Sequence, residues 1–492
     1  MITKRDNTRM AFDLKFRKDI TQLQSDAAHS TDLKRTLGPM NLINLGIGAI
    51  IGAGLFSLTG IAAAEHAGPA VSISFVIAAI GCAFAGLCYA EFAAMIPMAG
   101  SAYTYAYATM GELFAWIIGW DLVLEYAVGA STVAVSWSAY VAKFLAYFNV
   151  HLPTSISMSY WQTPPGSPEH GLVNIPAMII VFAVSLLLIR GIQESARANA
   201  VVVFLKVAVV IIFIGLGFAY INADNYTPFI PENTGKFGVF GWSGILKAAG
   251  MVFFAFIGFD AVSTAAQEAK NPQKDMPIGI LGSLIICTIL YVLFSFVMTG
   301  VANYTEFAGV AAPVAVAVEK MGISWLGPAI NLAIIAGYSS VILVMLLGQS
   351  RVFFSMSKDG LLPKLFSDSH PKFKTPWKSN ILFACVVSLF AGFAPIAIVG
   401  EMTSVGTLFA FIVVCLAVLV LRYKEPERPR PFKTPWVPLI PVLGIIACGT
   451  LLVSLCVSDW MHAARLFVWL GIGLLVYYFY SIKHSKVRKA QA

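Results

Sequence analysis

The chain has 492 residues, 58% of them hydrophobic and 12% charged, with a mean hydropathy of +0.78. Soluble domains carry roughly 25% charged residues, so this composition excludes a soluble globular protein and points to one embedded in a membrane. The net charge of +8 does not indicate a nucleic-acid binder, because the basic residues lie in short loops and tails between apolar stretches. The 7 cysteines all fall inside apolar stretches without a CxxC pair, so they read as small packing residues and neither as a disulfide framework nor as a metal site.

Residues 1–39 are polar and basic (Lys4, Arg5, Arg9, Lys15, Arg17, Lys18, Lys34, Arg35) and lack a signal-peptide core, so the first span directs insertion itself. Twelve spans follow, at about 41–66, 71–96, 112–147, 173–189, 198–221, 243–268, 278–301, 326–356, 380–399, 402–421, 437–457 and 463–482. Span one contains Gly46, Gly48, Gly52 and Gly54, each of which weakens a helix by roughly 0.8–1 kcal/mol relative to alanine. Span six is interrupted in the same way over Phe253-Phe254-Ala255-Phe256-Ile257-Gly258-Phe259-Asp260. Close glycine packing between unbroken helices is the bland alternative for the first run. A break at mid-membrane is tolerated only where the freed backbone groups face protein or a solvated cavity. Paired breaks at matching places in two halves mark the substrate site of an inverted-repeat transporter.

Five spans separate the two breaks. Residues 40–222 and 223–422 are therefore expected to form two five-span halves related by an axis in the membrane plane, followed by spans eleven and twelve (423–482) and a tail (483–492). About 27 of the 33 Lys and Arg residues fall on the side of both tails, which makes that side cytoplasmic. The loop 97–111 departs from this pattern, having no Lys or Arg.

Six segments, in order, resemble the amino acid–polyamine–organocation transporters, and among them the bacterial relatives of the cationic amino acid transporters. They are GIGAIIGAGLF (46–56), EFAAMIPMAGSAYTYAY (91–107), GWDLVLEY (119–126), GIQESARAN (191–199), FFAFIGFDAVSTAAQEAKNPQKDMPIGI (253–280) and GQSRVFFSMSKDGLLP (348–363). The resemblance runs from Leu33 to the last span. It implies an all-α integral membrane protein of twelve transmembrane helices, with a five-plus-five inverted-repeat (LeuT-like) core, discontinuous helices one and six, and two extra helices. It further implies secondary transport of L-amino acids across the cytoplasmic membrane. The expected partners are an L-amino acid, a proton and membrane lipids. Neither a cofactor nor nucleic acid is called for.

A zwitterion entering the membrane needs replacements for the water at both charged ends. Where span one resumes near Gly54, unpaired amides at a positive helix N-terminus suit the carboxylate. The resemblance assigns Gly52, Ala53 and Gly54 to it, and Ile50, Phe254, Ala255 and Ile257 to the α-ammonium; Phe254 itself reads as an aromatic gate over the substrate, with lipid or core packing as the alternative. Two features depart from relatives or narrow the pocket. Ala53 replaces a hydroxyl residue found in several relatives, and Tyr338, at a pocket-lining position, is expected to shorten the pocket and favour small or medium neutral side chains.

Lys206 in span five lies nine residues past Arg197, about 13 Å into the membrane at 1.5 Å per residue. Intramembrane ionisable groups are functional candidates. Similar proton-coupled members carry a lysine here against span one, so Lys206 is expected to take and release a proton; a permanently paired structural lysine is the alternative. Glu125 and Asp260 read as supporting polar residues, Glu91 and Asp121 as interfacial ones, and Ser339 and Ser340 as hydroxyls near a place where Lys206 would repel sodium. An enzyme is not expected, since the chain lacks HExxH, GxSxG, a paired Asp motif and a nucleotide loop. Proton-coupled symport is the expected function. Amino acid exchange, including cationic substrates, and non-transporting amino acid sensing remain as alternatives.

Overall fold

The computed structural model describes residues 16–29, 36–98, 100–163, 170–191, 196–310 and 312–491. The tail residues Lys4, Arg5, Arg9, Lys15, Lys34 and Arg35, residues 192–195 of the GIQESARAN segment and the Arg197 side chain lie outside the described residues. All named elements are helical. In chain order they are α1 (Ile20–His29), α2 (Pro39–Ile50), α3 (54–67), α4 (Val71–Met95), α5 (Ser101–Thr109), α6 (Glu112–Ala146), α7 (Ile175–Ile189), α8 (Ala196–Gly217) and α9 (Gly241–Val252). They continue as α10 (Ala261–Thr264), α11 (Pro272–Val301), α12 (Pro313–Lys320), α13 (Leu326–Lys358), α14 (Trp377–Phe393), α15 (Ile396–Lys424), α16 (Leu439–Ser458), α17 (Trp460–His484) and α18 (Lys486–Gln491).

Among the described residues, 9 helical stretches are long and apolar enough to cross a membrane, and the first of them, Pro39–Met95, runs 57 residues and turns back at Gly68–Ala70. The shorter apolar helices α7 and α14 pack on each other. The chain is a multi-pass membrane protein. Its helices pack in pairs, α11 along α4 and α2, α13 along α6, and α15 along α16.

Side-chain ties define two faces. On the face that carries both described termini, Lys18 pairs with Asp359 at 2.6 Å, and Arg488 with Glu112 at 2.6 Å. On the opposite face, Glu401 accepts from His462 at 2.7 Å and lies 3.6 Å from Lys247. The basic-poor loop 97–111 turns out to be a protein-covered element. Every residue of α5 is buried, and a strap of chain lies over it: the Glu112 amide donates to Phe16 O at 3.0 Å, the Lys18 amide donates to Tyr107 O at 3.4 Å and Arg17 reaches Thr109 O, while Tyr103 donates at 2.6 Å to Asp359, just past α13. Arg17 and Lys18 of the strap place basic side chains beside this helix, which has none of its own.

Glu91 and Asp121 are buried, not interfacial as expected. Glu91 takes two bonds from Arg422, at 3.1 and 2.9 Å, an ion pair from Arg430 at 3.1 Å, and the Thr434 amide at 2.8 Å. A buried carboxylate persists only with such compensation. Asp121 stands beside Glu125 in the helix interior. The cysteines are all free, but Cys385 is exposed, so only part of the set packs inside as expected.

Candidate functional site

Both expected breaks are present. α2 ends at Ile50, and Ile51 turns into extended backbone (φ −71°, ψ 104°), its amide donating back to Ile47 O at 2.9 Å. The chain recoils at once: Leu55 and Phe56 both donate to Gly52 O at 3.2 Å. The amides of Gly52, Ala53 and Gly54 precede these first intrahelical bonds and form the start of α3, the positive end of its dipole. In the second break, α9 tightens over Phe253–Phe256, Ile257 is extended (φ −60°, ψ 135°) and Gly258 adopts φ +114°. That dihedral lies outside the usual range of a residue with a Cβ, which is why glycine sits there.

The two breaks cross in contact. A Cβ on Gly54 would stand 2.2 Å from Ala255 Cα, and one on Gly258 would stand 2.9 Å from Ala49. Each glycine therefore admits the other segment's backbone. The crossing sets Gly54 against Ala255, and one hydroxyl reaches the carbonyls of both Ile50 and Ala255.

Residues around the first break are tied one after another to different helices. Lys206 Nζ donates to Gly48 O at 2.6 Å, and its stem lies over Gly337 of α13. Tyr291 Oη of α11 reaches Ile50 O at 2.8 Å and Ala255 O at 3.0 Å. Gly52 faces Val341. Ser57 Oγ shares a hydrogen bond of 3.0 Å with Tyr338 Oη, and Tyr140 donates to Phe56 O at 2.5 Å. Tyr338 points inward, its ring 5.7 Å from Tyr140 and 6.1 Å from Phe56. Lys206 is thus buried against span one, as expected. No side chain among Ile50, Ala53, Lys206, Phe254, Ala255, Ile257 and Tyr338 is more than 3% exposed, so the site is sealed from both faces in this conformation.

The supporting residues sit on the terminal side of the second break. A π-turn in α6 (Leu124–Val128) presents Glu125 and Tyr126, and Tyr126 donates to Asp260 at 2.5 Å. Glu125 lies against Asp260, Asp121 and Thr407. On the opposite face a cavity of about 590 Å³, within the usual range for small-ligand sites, opens between Glu65, Lys143, Trp161 and Ile396. It descends to Ile61, one turn beyond Ser57. Ser339 accepts from Trp137 at 3.0 Å and donates to Ile335 O at 3.0 Å. Sequence reasoning missed Tyr291, Tyr140 and Ser57, for a tyrosine or serine inside an apolar span carries no local mark of its partner.

A family model described as amino acid permease matches residues 37–477. A branched-chain amino acid permease of Bacillus subtilis is 46% identical over 475 residues, covering 96% of this chain and 98% of the relative. A methylthioribose transporter of the same organism is 42% identical over 474 residues, 96% and 99% of the two chains. A vacuolar cationic amino acid transporter of Arabidopsis thaliana is 38% identical over 406 residues, 82% of this chain and 66% of the relative. With matches spanning almost the whole chain, and with two helices broken where they cross, this protein belongs to the amino acid permease family of membrane transporters.

Proposed function

We propose that the protein is a proton-coupled symporter of small or medium neutral L-amino acids, branched-chain ones foremost, working by alternating access. One observation carries this reading: the helix start at Gly52, Ala53 and Gly54 lies at the crossing of the two breaks, beside the carbonyls of Ile50 and Ala255. A zwitterion carries a charge for each set. Gly52, Ala53 and Gly54 receive the carboxylate, Ile50, Phe254, Ala255 and Ile257 the ammonium, and the Tyr338 ring limits the side chain. The names of the relatives support a branched-chain substrate, and the methylthioribose transporter makes that sugar the natural competitor to test. Thermal stabilisation of the solubilised protein by each of the twenty amino acids and by methylthioribose identifies the cargo. Stabilisation by methylthioribose alone sinks the zwitterion reading.

Lys206 holds and releases the coupling proton. When charged, it grips Gly48 O and keeps span one in its binding shape; its ammonium repels sodium. Glu125 and Asp260 brace the second break through Tyr126. The test is uptake in proteoliposomes with an imposed gradient, acid outside. Accumulation against the amino acid gradient is expected in the wild type and is lost in Lys206→Ala. Accumulation left intact in the variant, or uptake that depends only on internal amino acid, overturns symport.

The architecture belongs to the same proposal: twelve spans, five-plus-five repeats over 40–222 and 223–422, spans eleven and twelve over 423–482, and both tails in the cytoplasm of a cell bounded by this membrane. Support comes from the pairing of helices at equivalent places in the two halves, α4 with α11, α6 with α13 and α7 with α14. The reciprocal crossing of Gly54 on Ala255 and Gly258 on Ala49 is the contact that a twofold axis between the breaks produces.

A further inference from the structure

Tyr291 projects from α11 into the gap between the two breaks. Its ring is fully buried and caged, with Phe75 of span two at 5.5 Å and Phe256 at 5.3 Å between centroids. Its hydroxyl meets Ile50 O at 2.8 Å and Ala255 O at 3.0 Å. Ile50 ends α2, and Ala255 lies in the last turn before the second break. Carbonyls at such ends have lost the amide that would follow in a continuous helix. Two of them facing each other in the membrane interior, with no donor, would repel and would lack the solvent that normally compensates them.

We propose that the Tyr291 hydroxyl stands in for the substrate's ammonium in the unloaded carrier. Its one proton is shared between the two carbonyls and holds the broken helices together when no amino acid is present. An arriving ammonium, with three N–H donors, takes over both carbonyls, so the loaded form no longer needs the hydroxyl between them. The idea rests on the reading of Ile50 O and Ala255 O as ammonium acceptors.

The role is confined to one limb of the transport cycle. A symporter that accumulates its substrate must return empty, and the empty return is the step in which the two carbonyls have only Tyr291. During exchange the carrier is loaded in both directions, and the ammonium does the work. A tyrosine that merely packed the core would affect both modes alike.

Tyr291→Phe keeps the ring in its cage and removes only the hydroxyl. Wild type and variant are reconstituted in liposomes with radiolabelled leucine as the probe. Net uptake into vesicles without internal amino acid, driven by an imposed pH gradient, is expected to fall about tenfold, the scale set by loss of one buried hydrogen bond. Counterflow into leucine-loaded vesicles is expected to stay within about twofold, since the loaded form keeps its donors. Equal losses in the two assays, or no loss in either, overturn the proposal. So does a wild type that exchanges without net uptake, because the hydroxyl is then in place and the empty return is still barred. Should Tyr291→Phe fail to reconstitute, Phe75→Leu, which loosens the cage and keeps the hydroxyl, goes through the same two assays. The same split is expected at smaller amplitude, and equal losses overturn the proposal there too. The underlying site reading fails separately: N-acetyl-leucine, which has no ammonium, would then compete with leucine on the wild type as strongly as unlabelled leucine does.

Discussion

A methyl group at position 54 would meet backbone that another broken helix holds in place, 2.2 Å from Ala255 Cα and 2.5 Å from its Cβ. No flexible side-chain end is there to yield. Gly54→Ala is therefore expected to force the breaks apart and abolish leucine-induced thermal stabilisation, with the protein still folded and monodisperse in detergent. Retained stabilisation would show that the crossing is not where the substrate binds. Gly337→Ala is the milder counterpart, because its methyl meets Lys206 Cε at 2.8 Å, near the end of a flexible stem that can move aside. Displacing that stem weakens the bond to Gly48 O, so proton-driven accumulation should fall several-fold while counterflow changes less. The breaks themselves were legible from sequence, since glycine runs inside an apolar stretch have a local cost that any reader can count. Lys206 was legible for a similar reason, a charge where charges are expensive. Tyr291 was not: between Leu290 and Val292 it looks like any other aromatic of a buried helix, and its value lies in carbonyls some 240 and 36 positions away.

At the scale of elements, the helix pairs depend on polar clasps that join distant parts of the chain. Glu91 of α4 is gripped by Arg422 at the end of α15 and by Arg430 in the following loop, with the Arg430–Glu91 side chains each 1% exposed. Glu91→Gln leaves two guanidinium groups facing a neutral amide. It is expected to destabilise the protein by roughly 3–5 kcal/mol, the usual effect of removing one partner from a buried pair, visible as a lower melting temperature in detergent. An unchanged melting temperature would mean that solvent already compensates the arginines. α6 and α17 are joined by a second clasp, in which Trp120 donates to Trp469 O at 2.9 Å and Trp469 donates back to Trp120 O at 3.2 Å, the rings stacked at 4.8 Å. Neither clasp can be read from a window of sequence, because its two sides lie more than 300 residues apart. The same limit explains α5. Its lack of basic residues departs from the charge pattern, and the strap that covers it comes from far away in sequence order.

At the scale of the molecule, the strap and the end of the chain together close the face that carries the described termini. Lys18 and Tyr103 both engage Asp359, while Arg488 and Ser485 hold Glu112. Asp359→Asn removes the charge that anchors Lys18 and is expected to speed tryptic cleavage between Arg17 and Lys18 by about tenfold in vesicles exposing that face, since cleavage follows local opening. Cleavage at the wild-type rate would assign the anchoring to the buried Ile20 and Leu23 instead.

The interlocked glycines carry one more consequence. Two backbones notched into each other on both sides of their kinks behave as a single mortised joint: neither arm can tilt or unwind without dragging the other along. On the proposed reading, inward and outward openings share one pivot, and a cargo seated there feels both movements as a rotation about itself.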